Sequence, residues 1–145
     1  MTRVLYRSAS VLLLLFAAGH QLGFRRANPL WRADSVVSAM QTTTFIVDGM
    51  TRSYWSFFSG FGFFVTALLV FSALLAWTLG DLSIRVRELR IVCWAFALCY
   101  VGIAIMTWAY FFIAPGVLST VVAVVLMMAA WLATHTPSER AASLR

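Results

Sequence analysis

Four apolar stretches, Leu5 to Phe24, Tyr54 to Leu79, Ile91 to Ile113 and Val117 to Thr134, decide what this chain can become. A helix crossing about 30 Å of hydrocarbon takes roughly 20 residues, so each stretch is of spanning length once ordinary tilt is allowed. The remainder of the composition agrees: 62% of the 145 residues are hydrophobic and 11% are charged, with a mean hydropathy of +0.89. Soluble domains run at about 45–50% apolar and about 25% charged. The expectation is an all-α integral membrane protein, an antiparallel four-helix bundle forming one transmembrane domain over residues 1–145. An amphipathic connection fills residues 25–53 on the outer side, and a short polar tail, 135–145, lies in the cytoplasm.

Orientation follows from the arginines, since the chain has no lysine. With the N-terminus inside, the inner segments hold Arg3, Arg7, Arg85, Arg87, Arg90, Arg140 and Arg145, against Arg25, Arg26, Arg32 and Arg52 outside. The positive-inside rule then sets both termini in the cytoplasm. The tryptophans lie near the ends of the runs, as interfacial residues do: Trp77, Trp94 and Trp131 on the inner side, Trp31, Trp55 and Trp108 on the outer. A net charge of +6 in this setting reads as attraction to anionic headgroups rather than to nucleic acid. The basic start and apolar centre of "MTRVLYRSASVLLLLFAAG" also resemble a signal peptide, but the run continues to Phe24, which favours a retained first span.

In the connection, Asn28-Pro29 reads as a cap and first helical residue, and Asp34 as a cap for a segment with Val36, Val37, Met40, Thr44 and Val47 at helical spacing. That segment is expected to be an amphipathic helix lying at the outer interface or folded as a lid over the bundle. Ala114-Pro115-Gly116 is the expected turn between the third and fourth spans. Two seams of mostly small residues should face inward: Cys93, Ala97, Tyr100, Ala104, Thr107 and Phe111 on the third span, and Ser119, Ala123, Leu126, Ala130 and Ala133 on the fourth. Tyr100 then needs a hydrogen-bond partner at mid-depth.

Apart from Arg7, near the start of the first run, no Asp, Glu, Lys or Arg interrupts the spans. Proton-coupled carriers, multidrug exporters and voltage sensors work through an ionisable group deep in the membrane, so these classes are disfavoured. Cys93 and Cys99 are six apart, about 240° around a helix, which indicates neither a disulfide nor a redox pair. His20 and His135 lie at opposite ends of the spans and cannot share a haem. No metal and no cofactor is implied.

Polarity outside the anchors gathers at the outer ends of the spans. His20 is an imidazole near the surface, able to act as a base or a ligand anchor. Asp48 and Arg52 stand four apart and could pair on a continuous helix, while Gly49 would allow the chain to bend and aim Arg52 elsewhere, its fork being suited to a carboxylate or phosphate. Ser53, Ser56, Ser59 and Gly60 share a face beside Tyr54, and Gly62 to Thr66 forms a further step of small residues. The candidate ligand-binding set is therefore His20, Asp48, Arg52, Tyr54 and Ser56, with Phe57, Phe58 and Phe61 as an apolar wall.

"GHQLGF" at 19 to 24, Met40 and Phe45 in the connection, and "GMTRSYWSFFSGFGFF" at 49 to 64 resemble a family of small bacterial four-span membrane proteins of unknown function. The resemblance ends in the middle of the second span, and it implies a bacterial inner-membrane location. Relatives often carry an acidic residue where this chain has Ser56. Size and topology are also similar to those of DoxX-like membrane proteins, an analogy of architecture that carries little function. Three functions are expected, in order. The first is binding of a small amphipathic or lipid-like ligand at the outer mouth. The second is an accessory subunit or homo-oligomer packed through small-residue faces. The third is a membrane-embedded enzyme with His20 as base.

Overall fold

The computed structural model describes residues 1–25, 29–82 and 89–135. The expected cap Asn28, the cytoplasmic tail beyond His135, and Arg26, Arg85, Arg87, Arg140 and Arg145 lie outside the described residues. The described chain is dominated by helix: α1 (Thr2–Gly23), a 3-10 turn (Pro29–Trp31), α2 (Asp34–Thr42), α3 (Tyr54–Asp81), α4 (Arg90–Tyr110) and α5 (Ile113–His135). A short antiparallel hairpin, β1 (Thr44–Val47) and β2 (Met50–Ser53), stands between α2 and α3. Helices α1, α3, α4 and α5 are long and apolar enough to cross a membrane, as in a multi-pass membrane protein.

The hairpin corrects the expected helical continuation to Val47. Helix α2 stops at Thr42, and Thr43 is extended, its N–H still bonded to the Ala39 carbonyl. From there Thr43, Thr44, Ile46 and Val47 are β-branched, and β-branched side chains lose more freedom in a helix than in a strand. The chain then reverses through Asp48-Gly49, with φ of 50° and 76°. Two positive φ values between paired strands make a type I′ turn, for which Asp-Gly is a leading sequence signal. Asp48 and Arg52 are accordingly on a turn and a strand, with Arg52 opposite Phe45, so the pairing expected of a continuous helix does not arise. Ala33, not Asp34, occupies the cap of α2 and makes no side-chain cap bond; Asp34 is instead the first helical residue.

Two compact units divide the chain, residues 1–14 with 71–145, and residues 15–70. In the first, the start of α1 packs against the end of α3, with Tyr6, Ala9, Leu13, Ala73, Ala76 and Leu79 buried. Gly80 makes that approach close, since a Cβ there would lie 3.3 Å from Tyr6 Cβ and 3.4 Å from the Arg3 carbonyl oxygen. The Cys93 thiol is the group beside the Tyr6 hydroxyl, and no conventional hydrogen bond forms there.

The two small-residue seams are buried as expected at Cys93, Ala97, Tyr100, Ala104 and Thr107 on α4, and at Ser119, Ala123, Leu126 and Ala130 on α5. Each seam gives out at one end: Phe111 is exposed and Ala133 only half-buried. The Ser72 hydroxyl of α3 is the polar group beside the Tyr100 hydroxyl. Cys99 is exposed while Cys93 is buried, as their angular separation requires.

The α4–α5 connection also differs from expectation. Phe111-Phe112 makes the link, and Ala114-Pro115-Gly116 forms the first turn of α5. Proline costs little there because the first N–H groups of a helix have no intrahelical acceptor. Gly116 is needed for space: a Cβ would stand 2.9 Å from the Trp108 ring. Trp108 Nε1 donates to Thr120 Oγ1 at 3.0 Å, and the Thr107 and Ser119 hydroxyls meet at 2.6 Å. Gly116→Leu should push Trp108 out of this corner and cost about 2 kcal/mol by overpacking. The check is the thermal midpoint in detergent, with Gly102→Leu as the control that should change little, because nothing stands within 4 Å of a Cβ at Gly102.

Candidate functional site

The second unit contains a polar cluster built on α1 and α3, with His20 at its centre. Thr66, on α3, places its hydroxyl 3.0 Å from His20 Nδ1, 3.1 Å from Gln21 Oε1 and 3.1 Å from the Gly62 carbonyl oxygen. A threonine has one hydroxyl proton, and two carbonyl oxygens compete for it. His20 Nδ1 therefore carries the proton of its own bond and donates to Thr66. In the neutral imidazole this is the Nδ1–H tautomer, in which Nε2 presents a lone pair. Among the described residues no side chain hydrogen-bonds to Nε2.

An aromatic wall adjoins the imidazole. Phe24 stacks on His20 at 5.1 Å with the planes 15° apart, and Phe63 meets Phe24 edge-on at 5.7 Å. Phe58 stands 6.2 Å from Phe24, and Trp55 packs on Phe58 at 5.4 Å. Phe24 lies so close on Gly62 that any Cβ at that position would collide with its ring. The Gly62-to-Thr66 step thus works as a close-approach face. Gly19, Gly23 and Gly60, also expected to permit helix approach, have nothing within 4 Å of a built Cβ. The Arg25 guanidinium lies over both Phe24 and Phe63, at 5.5 and 5.2 Å from the ring centres. Each such cation–π contact contributes about 0.5–1 kcal/mol at an exposed site. A cation, an imidazole lone pair and several half-covered rings therefore share one patch.

The other four candidate residues are engaged elsewhere in the same unit, and none hydrogen-bonds to His20 among the described residues. Asp48 supplies the hairpin turn. Arg52 folds back on its own strand, with Nη1 donating to the Thr51 carbonyl at 2.9 Å and Nη2 lying 3.2 Å from Met50 Sδ. Tyr54 packs on Phe45 at 5.0 Å, and Phe57 completes that second aromatic group. Ser56 serves the entry of α3: its backbone N–H donates to Ser53 Oγ at 3.2 Å and the two hydroxyls lie 3.1 Å apart. Ser53 is thus the N-cap of the helix, a role worth about 1 kcal/mol.

Thr66, Phe24, Phe63 and Arg25 were not among the sequence candidates. The pairing of Thr66 with His20 spans 46 positions and leaves no local trace. Arg25 was legible only as an anchor, although its place directly after Phe24 was a usable signal. No family model matches the chain, and neither the curated proteins nor the solved structures contain a significant match. The resemblance drawn from residues 19–24 and 49–64 accordingly rests on those residues alone.

Thr66→Val should remove the acceptor that fixes the His20 tautomer, at a stability cost of about 0.6 kcal/mol, the usual scale for a side-chain hydrogen bond inside a membrane protein. Nitrogen-15 NMR of the imidazole should show the Nδ1–H form in the wild type and in Thr66→Ser, and a tautomer mixture in Thr66→Val.

Proposed function

We propose that this chain is a multi-pass protein of the bacterial inner membrane, an antiparallel four-helix bundle with both termini in the cytoplasm. In this reading α2 and the β1–β2 hairpin sit at the outer surface. Support comes from the four spanning-length helices, the arginine distribution and the interfacial tryptophans. Its function is to bind a small amphipathic ligand at the outer end, beside His20.

The observation that carries the proposal is the His20 Nε2 nitrogen, which no side chain among the described residues hydrogen-bonds, on a ring held in orientation by Thr66 and bordered by aromatic rings. A ligand hydroxyl is the natural donor to that nitrogen, and an apolar chain is the natural cover for the half-exposed Phe24, Phe58 and Phe63 rings. Arg25 replaces Arg52 as the cation at the site, suited to an anionic or electron-rich group on the same ligand. Tyr54, Ser56 and Asp48 shape the hairpin and helix entry that border it in sequence.

The protein in detergent, offered long-chain alcohols, monoacylglycerols and fatty acids, should gain thermal stability from hydroxylated amphiphiles. His20→Ala should weaken that binding at least tenfold and Arg25→Gln should weaken it selectively for anionic members. A ligand-induced shift that survives His20→Ala unchanged would sink the reading. Loss of all shifts together with a stable oligomeric mass would transfer it to the homo-oligomer alternative.

A further inference from the structure

Arg7 is the single charged residue within an apolar run, and its surroundings show more than a topological anchor. It is half-buried, its guanidinium lies 4.7 Å over the Trp77 ring, and its Nη2 donates to Asp81 Oδ1 at 2.9 Å. Arg3, one helical turn earlier, donates from Nη2 to the same oxygen at 3.1 Å. Two guanidinium groups are thus drawn together on one carboxylate atom. Like charges four apart on a helix repel, and one carboxylate offsets only half of the pair's charge. The cluster of Arg3, Arg7 and Asp81 carries a net charge of +1.

The donors are in still larger excess. Each guanidinium has five N–H groups, and Asp81 takes one from each. Arg7 Nε is enclosed with no acceptor among the described residues, an arrangement that is costly unless the rest of the fork is well engaged. The remaining edge donors suit an anion with several oxygens, and phosphate matches the guanidinium fork in two-point fashion. Gly80 preorganises the group, because its lack of a side chain lets the Arg3 backbone and the Arg7 stem rest on α3 beside Asp81.

The chemistry on α3 distinguishes the source of that phosphate. Trp77, beneath Arg7, is itself partly exposed, and Leu74 lies three residues earlier on the same helix face and is largely exposed. An apolar track therefore leads along α3 away from the paired arginines. A free phosphate has no use for it, whereas a lipid sets its acyl chain there while its phosphate meets the cations.

We infer that Arg3, Arg7 and Trp77 form a binding site for the phosphate of an anionic glycerophospholipid, with Asp81 offsetting part of the charge of the two guanidinium groups and the Trp77–Leu74 face receiving an acyl chain. This site is separate from the His20 patch and stands or falls independently of it.

The test uses the full chain in detergent, titrated with phosphatidylglycerol, phosphatidylcholine, inorganic phosphate or glycerol 3-phosphate, and followed by thermal shift and native mass spectrometry. Phosphatidylglycerol should bind at least tenfold more tightly than phosphatidylcholine. Arg3→Gln, at the more exposed arginine, should abolish most of that preference, and Arg7→Gln should do the same where it folds. Asp81→Asn removes the competing carboxylate and should tighten phosphatidylglycerol binding while leaving the His20-dependent amphiphile shift unchanged. Equal binding of the two lipids, or a preference intact in Arg3→Gln, would overturn the inference. Inorganic phosphate or glycerol 3-phosphate stabilising the protein as well as the lipid does would overturn its assignment to a lipid.

Discussion

Hydrogen-bond closure within each helix governs how this chain uses its few polar side chains. Hydrocarbon offers no partner for a hydroxyl or an amide, so a group placed among apolar neighbours must find its acceptor on the protein. The hydroxyls of Thr66, Thr78, Thr120 and Thr134 all donate to the carbonyl four residues earlier in their own helix, and Ser119 reaches both Pro115 and Gly116. Once its proton is spent in this way, a hydroxyl is left as an acceptor. Thr120 then receives Trp108 Nε1, and Thr66 receives His20. The same local bond that keeps polarity tolerable in an apolar helix decides which tautomer the histidine adopts and which nitrogen it turns outward.

The four long helices were legible because hydropathy over a spanning length leaves few alternatives, and their observed ends lie within a few residues of the runs. The α4 and α5 seams were legible as well, since small residues at alternating spacing can only be an approach face. Asp48-Gly49, after the β-branched Thr43, Thr44, Ile46 and Val47, is the signal of the hairpin. The helical spacing from Val36 to Val47 competed, and spacing alone is a weak guide over so short a segment. Pro115 misled in a different way: proline ends a helix from within but begins one without penalty, and its position alone does not say which.

The candidate site was half legible. His20 stood out by being a lone imidazole at the end of an apolar run. Its partner did not, since Thr66 is one small residue among many and the contact joins distant parts of the chain. Arg52 and Ser56 read as available ligand contacts because the sequence shows no local partner for them. With the hairpin in place, Arg52 is spent on its own strand and Ser56 on a cap. Arg25 and the rings it covers become visible only when Phe24, just past the end of α1, meets Phe63 of α3.

The link between α4 and α5, only Phe111 and Phe112 long, bears on the order in which the chain assembles. Closing a loop costs entropy that grows with its length, and here that term is near its minimum. The Thr107–Ser119 clasp and the Trp108–Gly116 corner lie immediately beside the link, so they close at little entropic cost. By contrast, the contacts of Arg3 and Arg7 with Asp81 close across more than seventy residues. The α4–α5 pair is therefore held by local contacts of low contact order, whereas the contact of the start of α1 with the end of α3 carries the larger closure entropy.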